Sequence, residues 1–460
     1  NKIKIWQDGI AKSITFIVTK DCQLACKYCY LVGKNTSERM SFETASCAVD
    51  YILDHKDDFV EDSVVWEFIG GEPFLEIDLI DKISDYIKVQ MYKRNHPWFD
   101  SYRFNFSTNG VNYHEKKVQD YIRKNHAHLS IGITIDGNEI KHDLNRVYKS
   151  SGKGSYADVV KNIPLWLEQF PHGGTKVTVS SADIPYIKES VLHLYSLGIH
   201  EVNINCVFED VWNEGDDRLL ENQLIELADE IIEKEYYKDN VCSFFSEQIG
   251  KPLDRRFDNQ NWCGAGKMLS VDAAGNFYPC TRFAQYSLSS KKALVIGNVH
   301  DGIDKNKLRP FLTLDRSTQS SQECIDCEVA SGCAWCQGEN YDAAKFQAME
   351  LAKLGIAAQM QGELAAIVEN TIGNEQLPKE QAASVAQTIA ASKDVIAAKL
   401  GRLIPIVECY RDVPRKGKEV RVMAFYNKDE ALKAATEAVR EELEKKGEDL
   451  HTKLDKLLGL

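Results

Sequence analysis

Between residues 10 and about 235, short apolar runs rich in β-branched residues alternate with stretches whose apolar positions recur every three to four residues. Continuous or alternating apolar runs mark strands and the longer period marks a helix face, so the alternation predicts successive βα units around a parallel sheet. Six strands are expected, near 10–19, 64–69, 102–107, 129–135, 175–180 and 201–206. Over 41–55, Phe42, Ala45, Ala48, Val49, Ile52 and Leu53 share one helical face, Ser41 is placed to cap the helix, and Cys47 reads as a core thiol. Similar stripes run over 77–92 and 184–197.

The pattern changes near residue 345, where the chain turns rich in Ala, Glu and Lys, with no tryptophan and one cysteine. Helices are expected over 345–370, 378–403 and 428–458, with a hairpin of 404–411 and 419–426 between the last two, an ααββα order. Three domains follow: 1–240, 241–344 and 345–460. The last carries no catalytic constellation, which leaves docking module, dimerisation element or passenger as its roles.

With 460 residues, 43% of them hydrophobic, the chain can bury a large core. A net charge of −13 disfavours a nucleic-acid partner, and no apolar run approaches a membrane span. Thirteen cysteines without an apolar signal stretch at the start point to a reducing, cytoplasmic setting, where thiols act as ligands or pack as small hydrophobes.

Candidate chemistry gathers where the strands end. Cys22, Cys26 and Cys29 form a Cys-x3-Cys-x2-Cys loop just after strand one. Three thiolates suit a [4Fe–4S] cluster with one open iron; a structural zinc knuckle and a disulfide pair are the alternatives. Gly70-Gly71-Glu72-Pro73 follows strand two, Ser107-Thr108-Asn109-Gly110 strand three, and Thr134-Ile135-Asp136-Gly137 strand four, with His142, Asp143 and Arg146 beyond. In parallel βα folds this edge gathers ligands, and Glu72 and Arg146 are the pair to grip an amino acid's ammonium and carboxylate.

On these motifs the first half of the chain resembles the radical S-adenosylmethionine (SAM) enzymes. The resemblance implies a partial (β/α)6 barrel, a cluster on Cys22, Cys26 and Cys29 whose open iron chelates SAM, and SAM contacts from Gly70, Gly71, Glu72, Pro73, Ser107, Thr134, Asp136 and Arg146, Arg146 holding the carboxylate and Thr134 the ribose side. Reductive cleavage of SAM then supplies a 5′-deoxyadenosyl radical that abstracts hydrogen, which calls for a one-electron donor such as a flavodoxin or ferredoxin.

A second cysteine set, Cys263, Cys280, Cys324, Cys327, Cys333 and Cys336, lies beyond the six βα units. Residues 270–279 read as a hairpin leading to Cys280, and four cysteines within thirteen residues make a metal site, iron–sulfur or a closed zinc site. This block resembles the SPASM extension, which implies a first auxiliary [4Fe–4S] cluster on Cys263, Cys280 and Cys336 and a second on Cys324, Cys327 and Cys333. The last spacing is x2 instead of x3 and the seventh cysteine is missing; Cys242 is a candidate to complete the first cluster, while Cys206 and Cys409 read as packing thiols. Thr281 stands where sulfatase maturases carry an aspartate, and the 328–341 run resembles maturases of ribosomally made, cysteine-containing precursor peptides. The implied reaction is thioether formation. A formylglycine-forming sulfatase maturase and a non-catalytic metal–thiolate binding protein are the alternatives.

Overall fold

A computed structural model describes residues 11–31, 36–207, 211–245, 264–284, 293–312, 343–372, 379–400, 404–413 and 417–445. They fall into two compact units, 11–312 and 343–445.

In the first unit six parallel strands form at the expected places: β1 (Ala11–Thr19), β2 (Ser63–Gly70), β3 (Tyr102–Thr108), β4 (Leu129–Ile133), β5 (Gly174–Val179) and β6 (Glu201–Cys206). Helices α1 (Phe42–Asp54), α2 (Ile77–Lys93), α3 (Lys116–Asn125), α4 (Glu139–Asn145), α5 (Tyr156–Val160), α6 (Ile163–Gln169), α7 (Ile187–Ser196) and α8 (Asp216–Glu233) lie between and after them. Strands β1 to β4 pair in order, and a parallel bridge from Thr134 to Lys176 carries the wall on to β5, β6 and a short β7 (Val241–Cys242). This is the α/β architecture of a partial barrel.

Side-chain alternation explains the wall. Trp66, Phe68, Phe104 and Phe106 are buried, and Phe68 stacks on Phe106 at 5.4 Å. The intervening positions are polar: Glu67 Oε2 accepts from Ser13 Oγ (3.1 Å) and Thr15 Oγ1 (2.8 Å), and its Oε1 accepts from Asn105 Nδ2 (2.9 Å), tying three strands together. Ser41 caps α1 by accepting from Thr44 N at 2.9 Å. Ala45, Ala48, Val49, Ile52 and Leu53 are buried as expected, but Phe42 in the first turn is 40% exposed against Tyr86, and Cys47 is half-buried. The expected helix over 184–197 begins as a 3-10 turn (Ser181–Tyr186), because Pro185 lacks the amide a regular helix would use, and becomes α7 at Ile187.

The 270–279 hairpin forms as β8 (Leu269–Val271) and β9 (Asn276–Tyr278), its turn held by Asp272 Oδ1, which accepts from Ala274 N and Asn276 N. It is not a sheet of its own. β8 pairs in parallel with β1, and β10 (Gly297–Asn298) and β11 (Gly302–Ile303) continue the sheet, followed by α9 (Lys305–Leu312).

The second unit comprises α10 (Ala343–Ile372), α11 (Lys379–Ala391), α12 (Lys393–Lys399), an antiparallel hairpin of β12 (Ile404–Val413) and β13 (Gly417–Phe425), and α13 (Lys428–Lys445). Ile356, Met360, Leu364, Ile389, Ile396 and Val439 lie in its apolar core. The single helix expected over 378–403 breaks at Ser392, whose hydroxyl donates to Thr388 O at 2.6 Å and competes with helix continuation. No helix of the described residues is long and apolar enough to cross a membrane.

Candidate active site

The three-cysteine loop leaves the carboxyl end of β1, with Cys22 buried and Cys26 and Cys29 partly so. Its first turn is clamped to the segment after β2: Gly71 N donates to Thr19 O (3.0 Å) and Glu72 N to Asp21 O (2.9 Å). A Cβ on Gly71 would lie 2.1 Å from Asp21 O and 2.9 Å from Cys22 Cβ, so only glycine lets the two backbones approach this closely. Asp21 Oδ1 accepts from Cys22 N and from Lys149 Nζ, and the hydrogen bond from that lysine, helped by its charge, holds the carboxyl below its usual range.

Glu72 does not face outward to grip an ammonium. Its carboxylate accepts from Thr108 Oγ1 (2.7 Å), Asn109 N (2.8 Å) and Phe74 N (3.1 Å), joining the end of β3 to the Gly-Gly-Glu-Pro turn. Burial pushes its pKa up while those bonds pull it down. Pro73 is buried at the start of the 3-10 turn that follows.

Tyr28, between the second and third cysteines, donates to Asp136 Oδ2 and accepts from Arg146 Nη1 at 2.9 Å. Burial raises the Tyr28 phenol far above its ordinary range, so it acts as a neutral donor. Asp136 also accepts from Thr178 N (3.1 Å); burial disfavours its charge, and Lys141 and Arg146 more than offset that and keep it low. His142 Nδ1 accepts from Asp136 N (3.2 Å), and its Nε2 donates to Ser155 Oγ (3.0 Å), which donates to Arg146 O (2.8 Å). Arg146 is buried and cationic, since burial, which works against its charge, is outweighed by Tyr28, Cys26 and Asp136. Among the described residues its Nε has no hydrogen-bond partner.

A cavity of about 480 Å³ opens beside this network, lined by Lys27, Tyr28, Asn145, Ser180, Ala182 and Asn213, among others. Ser107 is half-buried on β3, and Thr134 N donates to Thr108 O at 2.9 Å. The edge thus brings together the three cysteines, Gly70 to Pro73, Thr134, Asp136 and Arg146. A clamped cysteine loop, an orphaned buried guanidinium nitrogen and an adjoining cavity fit an iron–sulfur cluster and an amino-acid ligand. Among the described residues no three Cys, His, Asp or Glu side chains converge on a point for a single metal ion. A cluster differs in needing each thiolate on a separate iron.

Cys280 follows β9 and accepts from Arg282 N at 3.5 Å. The Arg282 guanidinium lies 4.5 Å over the Tyr30 ring, whose pKa is pushed up to about 12, mainly by burial, with Cys29 and Cys280 both adding to the rise. Cys242, on β7, is buried and its thiol pushed up to about 11, a packing environment. Cys263, Cys324, Cys327, Cys333 and Cys336 lie outside the described residues. One partner escaped sequence reasoning, Glu67; strict alternation in Tyr102-Arg103-Phe104-Asn105-Phe106-Ser107 was the one available signal for the polar wall.

Residues 16–197 match the radical SAM superfamily. An uncharacterised protein of Methanocaldococcus jannaschii is 29% identical over 303 residues, 66% of this chain and 92% of that protein. The serine-type anaerobic sulfatase-maturating enzyme of Bacteroides thetaiotaomicron is 23% identical, covering 68% of this chain and 78% of its own. The antilisterial bacteriocin subtilosin biosynthesis protein AlbA of Bacillus subtilis is 23% identical, covering 72% and 68%. The fold matches that of anSMEcpe with bound AdoMet at a TM-score of 0.56 and 19% identity, covering 72% of this chain and 92% of that one. Residues 16–197 are thus a radical SAM domain, the domain of enzymes that work with S-adenosylmethionine and [4Fe–4S] iron–sulfur chemistry.

Proposed function

We propose that this enzyme modifies a ribosomally made, cysteine-containing precursor peptide and forms a thioether on it. The observation that carries the reading is the described part of the cysteine-rich extension, the hairpin that leads to Cys280, built onto the same sheet as the radical SAM site. A relative named for bacteriocin biosynthesis supports a peptide substrate. The sulfatase-maturating relative keeps a formylglycine maturase as the second reading; Thr281, in place of an acidic residue after Cys280, weighs against it.

In this reading Cys22, Cys26 and Cys29 hold the catalytic cluster, and Arg146 takes the carboxylate of SAM through its free Nε. SAM, when bound and reductively cleaved, supplies a radical able to abstract a C–H hydrogen. Tyr28 and Asp136 hold Arg146 in position, and the polar wall of Ser13, Thr15, Glu67 and Asn105 offers hydrogen bonds to a peptide. The remaining cysteines, Cys263, Cys280, Cys324, Cys327, Cys333 and Cys336, are assigned to auxiliary clusters, and an external flavodoxin- or ferredoxin-like protein to electron supply.

Thioether formation removes two hydrogens from the peptide. One leaves as the abstracted atom; the other leaves as the thiol proton plus one electron, which needs a one-electron acceptor, the role assigned to an auxiliary cluster. Incubating reduced, reconstituted enzyme with SAM and cysteine-containing precursor peptides should give a product lighter by two hydrogens whose cysteine no longer alkylates. Conversion of cysteine to an aldehyde would instead identify the maturase of the second reading.

A further inference from the structure

The side chain of Asn109 has no part in the roles assigned so far, yet both of its polar atoms, and the backbone N beside them, are engaged. Its backbone N donates to Glu72 Oε2 (2.8 Å), its Oδ1 accepts from Val111 N (3.0 Å), and its Nδ2 donates to Cys22 Sγ at 3.8 Å. Cys22 Sγ also accepts from Leu24 N at 3.3 Å. Cys22, Glu72 and Asn109 are 5%, 1% and 6% exposed, so the chain of contacts is shielded from water. Glu72 is fully occupied in this arrangement, with Thr108 and Phe74 as its other partners.

We propose that Asn109 is a positioning residue for the catalytic cluster: its side-chain amide, on a backbone that Glu72 holds in place, donates to the Cys22 sulfur and raises the cluster's reduction potential. A donor aimed at a ligating sulfur stabilises the electron-rich, reduced form more than the oxidised one, and hydrogen bonds to cluster sulfurs are among the groups that set such potentials. Burial strengthens the effect, because no water competes for the sulfur. Glu72, two positions beyond the strand it follows, thereby acts on the cluster through Asn109 and not through the substrate. The inference rests on the radical SAM assignment and is independent of which peptide is modified.

The test is a potentiometric titration of the reconstituted full-length enzyme, followed by electron paramagnetic resonance of the reduced catalytic cluster, in a background where the auxiliary cysteines Cys280 and Cys333 are replaced by alanine. Two variants are compared. Asn109→Ala removes the donor, and Asn109→Asp keeps the size and the Val111 cap while exchanging the donor for an acceptor. At the ambient potential that half-reduces the parent, the reduced-to-oxidised ratio should fall about tenfold in Asn109→Ala, equivalent to ~59 mV for one electron, and further in Asn109→Asp. Glu72→Gln should shift the midpoint in the same direction by less, and should add little on top of Asn109→Ala, as expected for residues in one chain of contacts. An unchanged midpoint in whichever Asn109 variant binds iron at the parent level overturns the proposal. So does equal midpoint in Asn109→Ala and the parent with a shift in Glu72→Gln alone.

Discussion

At the scale of single residues, the site is a set of buried polar groups that satisfy one another and leave the Arg146 Nε without a partner among the described residues. Tyr28, Asp136 and Arg146 form the link between the cysteine loop and the end of β4, and His142 backs it by bridging Asp136 N to Ser155. Burial, followed by the charge of Arg146, pushes the His142 pKa down to about 3 from 6.5. The unfolded chain therefore takes up a proton near pH 6.5 that the folded chain refuses until near pH 3. Its stabilising contribution is complete above pH 6.5 and is lost as pH falls toward 3, by up to ~1.4 kcal/mol per pH unit. Denaturant unfolding at a series of pH values should show this acid slope, and His142→Gln should flatten it; an identical slope in the variant would mean that other groups carry the acid sensitivity. Much of this network was open to sequence reading by position only. Cys22, Cys26, Cys29 and Asp136 follow strand ends, where ligand-binding groups collect, and Arg146 closes the helix after β4, but the inward turn of the Glu72 carboxylate depends on the path of a glycine-containing turn, which has no periodicity to betray it.

At the scale of elements, the strands of the barrel were legible because alternation and β-branched runs report directly on which face is buried. The expected strand 201–206 and the observed β6 coincide, and the other five differ by one or two residues at an end. Long-range pairing left no such trace: nothing in Leu269 to Tyr278 says that the hairpin adds to β1. The break at Ser392 was hidden for a different reason, since the apolar stripe continues across it while a single hydroxyl redirects the backbone. The clamp between β1 and β2 gives an element-level prediction. Gly71→Ala places a methyl group 2.1 Å from Asp21 O, so the two turns must separate, at a cost of about 1–3 kcal/mol as for other overpacked sites. Reconstituted Gly71→Ala protein should unfold at a lower denaturant concentration and hold less iron on the three-cysteine loop. Parent stability together with full iron loading would show that the clamp does not matter.

At the scale of the whole molecule, the radical SAM site and the described part of the cysteine-rich extension form one compact unit on one continuous sheet, with residues 343–445 as a second. Tyr30 touches both halves of the first unit's chemistry, with Cys29 on its own loop and Arg282 and Cys280 from the extension close enough to perturb its phenol. A peptide-modifying role needs such closeness, because the carbon radical and the thiolate that traps it must meet before water or a stray hydrogen donor intervenes. All of this presupposes that the enzyme cleaves SAM at the three-cysteine loop. The decisive measurement is 5′-deoxyadenosine formation by anaerobically reconstituted protein given SAM and a strong one-electron reductant, with Cys26→Ala beside it. The account predicts 5′-deoxyadenosine from the parent and none from Cys26→Ala; equal amounts from both, or none from a parent with a fully loaded cluster, would contradict it.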